Sequence, residues 1–60
     1  MLIKVFSIWV ESDEIVSIRP EPYAEGNSNI YFKNGFSCTL ENLSVDEIVA
    51  EINNQLKKEN

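Results

Sequence analysis

The side chains that could carry chemistry in this chain are one thiol, Cys38, and a set of ten carboxylates, with no histidine to pair with them. Histidine is the commonest general base near neutral pH, so its absence removes Ser-His-Asp and Cys-His nucleophilic arrangements together. Cys38 falls in the alternating stretch Phe36-Ser37-Cys38-Thr39-Leu40, on the apolar side, where a thiol acts as a small hydrophobe. The carboxylates Asp13/Glu14 and Asp46/Glu47 are sequence neighbours, which point in different directions. The first pair suits a turn and the second a helix start. Neither has the alternating oxygen ligands and distal glutamate of a calcium loop. One cysteine and no histidine argue against a structural zinc site, which wants several Cys or His ligands. Gly26 and Gly35 are the only glycines, so no glycine-rich phosphate loop exists. The expectation is a non-enzymatic protein without a cofactor.

Binding chemistry is better supplied. Arg19, Tyr23 and Tyr31 belong to the residue types that dominate interaction hot spots, and Tyr23 lies in the polar stretch Glu21 to Asn27, as binding residues on loops often do. Ten acids against five bases give a net charge of −5. Lys4, Arg19 and Lys33 are scattered, and Lys57 and Lys58 stand near the end. Phosphate backbones are gripped by clustered Lys and Arg, so direct nucleic-acid binding is not expected. An acidic surface favours basic protein partners and also simply keeps a small domain soluble.

The elements that must position these residues are few. Sixty residues make one small domain that buries about 60% of its unfolded surface, a marginal arrangement that a partner subunit commonly completes. The pattern predicts strands over residues 2–10, 14–19, 29–33 and 36–41 and a helix over 45–58. Asn34-Gly35 suits a type I′ turn between the last two strands. Phe36, Cys38 and Leu40 then share a buried face with Ile30 and Phe32, and Tyr31 faces away from it. Ser44 and Glu47 form a capping box with Leu43 and Ile48 as a hydrophobic staple. Val45, Ile48, Val49, Ile52 and Leu56 make the core-facing stripe. The expected fold is α+β: a four-stranded antiparallel sheet, β-β-β-β-α, with one C-terminal amphipathic helix on one face.

The first strand poses the main question. If residues 2–10 run straight, Leu2, Phe6, Ile8 and Val10 point one way and Ile3, Val5 and Trp9 the other. Strands apolar on both faces are buried on both, while one helix covers one face. The expectation is that Ile3, Val5 and Trp9 pack against a second copy, making the chain a homodimer, or against another partner. The alternative is that Trp9 folds over the sheet edge and shields its neighbours within one chain.

The stretch Ile30 to Ile52, with Ile-Tyr-Phe-Lys-Asn-Gly, a strand and a Ser-Val-Asp-Glu-Ile-Val helix, resembles two sets of proteins: small bacterial flagellar and swarming regulators, and small phage and mobile-element proteins. The Pro20-to-Asn27 loop departs from the flagellar pattern. The second resemblance implies a phage-encoded inhibitor that binds a larger host defence protein. Two other functions compete with it. One is a small-ligand sponge or sensor holding a nucleotide-like anion between Arg19, Tyr23 and Tyr31, and the other is a regulatory subunit of a bacterial machine. The apolar start lacks a basic leader and no run approaches the ~20 residues that span a bilayer, so a cytoplasmic protein without membrane contact is expected.

Overall fold

The computed structural model describes residues 1–58 as β1 (Leu2–Val5), β2 (Ile8–Glu11), a 3-10 turn (Ser12–Glu14), β3 (Ile15–Pro20), β4 (Ser28–Phe32), β5 (Ser37–Leu40) and α1 (Val45–Lys58). The class is α+β with a C-terminal helix. The single four-stranded sheet is corrected to two antiparallel sheets: a β1-β2 hairpin and a three-stranded β3-β4-β5 sheet.

The difference arises at Phe6-Ser7. Residues 2–10 are not one strand. Phe6 adopts a positive φ of 56°, the hand that tight hairpin turns need, and the chain doubles back so that Ile3 pairs with Val10 and Val5 with Ile8. A two-residue turn pairs odd positions before it with even positions after it. Ile3, Val5, Ile8 and Val10 therefore share one face, and Leu2, Lys4, Trp9 and Glu11 the other. Ile3 and Val5 become core residues, 2% and 0% exposed. Their expected place at an interface is overturned, because the turn gives them an intramolecular cover.

Core closure is three-sided. The inner face of the hairpin, Ile30 and Leu40 of the three-stranded sheet, and Ile48 and Ile52 of α1 form one cluster. Ile8, Ile15, Ile18, Phe32, Cys38, Leu43 and Leu56 pack around it. Each fully buried Ile or Val contributes about 1.5–3 kcal/mol. The helix is set in place by its cap. Ser44 Oγ accepts from Glu47 N–H at 3.1 Å, and Glu47 Oε1 accepts from Ser44 N–H at 3.1 Å. The buried Ser28 hydroxyl donates to the Leu43 carbonyl at 2.8 Å, joining β4 to the residue before that cap. Val49, expected in the buried stripe, lies at its exposed margin.

The β4-β5 turn also differs from expectation. Only Gly35 of the Asn-Gly pair has a positive φ, 89°, so the turn is not type I′. Gly35 N–H donates to the Phe32 carbonyl, Phe32 N–H to the Phe36 carbonyl, and Phe36 N–H to Asn34 Oδ1. This is a turn followed by a left-handed glycine, which adds one residue to the loop. The added residue pairs Ile30 with Cys38 and Ser28 with Leu40, which keeps the apolar sides of both strands together. It leaves Phe36 outside the ladder and exposed rather than buried.

Ile30→Ala should lower stability by about 2–5 kcal/mol, enough to unfold much of a domain this small, whereas Val16→Ala on the exposed side of β3 should change it by less than about 0.5 kcal/mol. Urea denaturation followed by circular dichroism separates the two; similar losses would refute the core assignment.

Candidate functional site

Besides the polar side of α1, two outward sheet faces remain once the core is closed, and they differ in character. On the three-stranded sheet, Ile18, Ile30 and Cys38 align inward across β3, β4 and β5. Alternation then turns the rows Ser17-Tyr31-Ser37 and Arg19-Asn29-Thr39 outward. A register shift between Ile15 and Ser17 makes this possible: without the added residue, the inward side of β3 would not meet the inward side of β4.

Asn29 is the hub of this face. It sits on the central strand and is only 7% exposed. Its Nδ2 donates to Glu21 Oε2 at 2.7 Å and to Tyr31 Oη at 3.3 Å, and its Oδ1 accepts from the Thr39 hydroxyl at 2.7 Å. No buried side-chain polar atom among the described residues lacks a partner. The Arg19 guanidinium lies 5.6 Å from the centre of the Tyr31 ring, within cation–π range. Of the residues singled out from sequence, the structure brings Arg19 and Tyr31 together. Tyr23 stands in the loop at the end of the same β3-β4 hairpin and is 96% exposed. That loop closes through Glu21 N–H to the Asn27 carbonyl and Asn27 N–H to the Ala24 carbonyl, so Tyr23 projects from a tied turn.

Asn29, Thr39 and Glu21 were missed as members of this face. The alternation of Asn29 and Tyr31 against Ile30 and Phe32 is their sequence signal, but the bonds among them depend on the cross-strand register. Trp9 belongs elsewhere, on the outer side of the β1-β2 hairpin, where it is 63% exposed.

Cys38 has no activating neighbour. Burial pushes its thiol up from the ordinary value, opposed by a smaller effect of a backbone hydrogen bond involving Ile30. Among the described residues no cluster of acids and cysteine is arranged to hold a metal ion, no pocket forms, and no helix is long and apolar enough to cross a membrane. What this face can do chemically is present one cation, one carboxylate, a phenol and amide and hydroxyl groups across an open sheet. Compared with protein-family models, curated proteins and solved structures, the chain matches none.

Two outcomes are expected. Asn29→Ala should cost about 1–3 kcal/mol, because it leaves the hydroxyl of Thr39 and the carboxylate of Glu21 without their shared partner; a loss below 0.5 kcal/mol in urea would mean that solvent replaces these bonds freely. Cys38 should react with a disulfide reagent more slowly in the folded than in the urea-unfolded chain. Because its pKa is raised, its thiolate appears at higher pH than that of the unfolded thiol, so the gap is widest around the ordinary thiol pKa. Equal rates there would show the thiol to be unprotected.

Proposed function

We propose that this chain is a non-enzymatic binding protein that acts by protein–protein contact, using the polar face of its three-stranded sheet to engage a larger protein. The observation that carries this reading is the Arg19–Tyr31 stack beside the Asn29 network, with Tyr23 projecting at the loop end of the same hairpin. Arg and Tyr supply hot-spot contacts because they combine large apolar area with directional polar groups. Arg19 and Tyr31 stand on strands and Tyr23 on a loop closed by backbone hydrogen bonds, so less order has to be imposed on binding. The acidic balance of the chain favours a basic surface on the partner.

The finer form of the proposal is an inhibitor that covers a working surface of a host defence protein, in keeping with the resemblance of residues 30–52 to small phage proteins. A broad face with no pocket among the described residues suits occlusion of another protein better than enclosure of a small molecule.

Capture from host lysate with wild-type chain as bait is expected to yield one dominant protein. Titration of that purified protein should show Tyr23→Ala and Arg19→Ala each weakening affinity by roughly 30-fold, the size of a hot-spot loss of about 2 kcal/mol. Unchanged affinity for both variants would remove the polar face from the contact. A nucleotide-like anion found bound in native mass spectra of the purified chain would replace this reading with the ligand-sponge one.

A further inference from the structure

The outer face of the β1-β2 hairpin carries a pattern that a polar-face partner does not use. Leu2 stands opposite Glu11 and Lys4 opposite Trp9, and all four are exposed. The two apolar side chains thus occupy one diagonal of a four-residue grid and the two opposite charges occupy the other. We propose that this face is the seat of a two-fold homodimer, with a second copy of the chain as its occupant.

Charge complementarity selects that occupant. A two-fold axis parallel to the strands would set Leu2 against Glu11, and one across the strands would set Leu2 against Lys4. An axis along the Leu2–Trp9 diagonal places Trp9 on Trp9, Leu2 on Leu2, and Lys4 on the Glu11 of the other copy twice over. This is the self-complementarity that a closed two-fold interface requires. The strands of the two copies then cross steeply, as in orthogonally packed sheets. Glu11 is bonded to the Met1 amine, and Asp13, 3.4 Å from the same amine, adds a second carboxylate beside that pair. An anionic membrane or nucleic acid fits this face poorly, since the chain carries a net charge of −5. Trp9 and Leu2, 63% and 58% exposed, supply the apolar part of the contact. The inference is independent of the polar face, which belongs to the other sheet.

Charge exchange tests it on the full chain. Sedimentation of the wild type from low to high micromolar concentration should show a monomer–dimer equilibrium, with the emission of Trp9, the only tryptophan, shifting to the blue as dimer forms. Lys4→Glu and Glu11→Lys alone should each weaken the dimer roughly tenfold, since each creates two like-charge contacts. An equimolar mixture of the two variants should associate about as well as wild type, because the acids of one chain then face the bases of the other. Trp9→Ala should weaken association in every combination, and circular dichroism of each variant should match wild type, since all three substitutions are at exposed positions. A wild type that stays monomeric at every concentration overturns the proposal, as does a dimer indifferent to both charge changes or a mixture that fails to recover. Loss of partner capture on Tyr23→Ala with the dimer unchanged would concern the polar face alone.

Discussion

The reversal at Phe6-Ser7 is the constraint on which the other features depend. It places a bulky residue in left-handed backbone, a conformation that costs a non-glycine residue about 1–2 kcal/mol. What it secures is a change of parity. Four aliphatic side chains that would alternate across a straight strand are brought to one side, where α1 and the three-stranded sheet meet them. Burial of even one of those side chains outweighs the strain. A core built this way needs no second copy. The same turn also sends Trp9 and Leu2 outward together, so the step that completes the interior creates the exposed apolar diagonal of the hairpin.

Much of the C-terminal half could be read directly from residue types. Ser44 and Glu47 bond as a capping box, α1 buries Ile48 and Ile52, and Ile30, Cys38 and Leu40 belong to or pack against the core. These features rest on local chemistry or simple periodicity. The first ten residues were less legible for a physical reason: Phe-Ser offers no glycine, asparagine or proline, the usual marks of a tight turn. The preference for folding back comes from the helix and sheet that the hairpin covers, and these lie far away in sequence. Gly35 was legible in part. Its left-handed conformation was expected, but the added loop residue that exposes Phe36 follows from keeping Ile30 opposite Cys38, which is a cross-strand demand.

Candidate binding residues divide along the same line. The outward direction of Tyr31 follows from alternation alone, and the exposure of Tyr23 from its polar loop. Ile3 and Val5 went the other way, into the core, because their direction depended on the unsignalled turn. Asn29 was hidden for a different reason. An asparagine in a strand reads as an exposed polar residue, and its burial follows from being on the central strand with Arg19 and Thr39 on either side and Glu21 reaching over it.

That burial bears on what the polar face can do. Asn29 is surrounded by groups that would otherwise be mobile: the carboxylate of Glu21 beside a seven-residue loop region, the phenol of Tyr31 and the hydroxyl of Thr39. Each is held by a bond to the same amide. The amide itself is held by the ladder on both sides. Arg19, lying over the Tyr31 ring, inherits that order and gives up part of its rotamer freedom before any partner arrives. Side-chain immobilisation costs about 0.5–1.5 kcal/mol per flexible group on association, so a face wired in advance loses less when it is covered. An unwired set of the same residues would be equally polar and equally charged, yet a poorer contact surface. The distinction lies in one nearly buried amide rather than in the composition of the face.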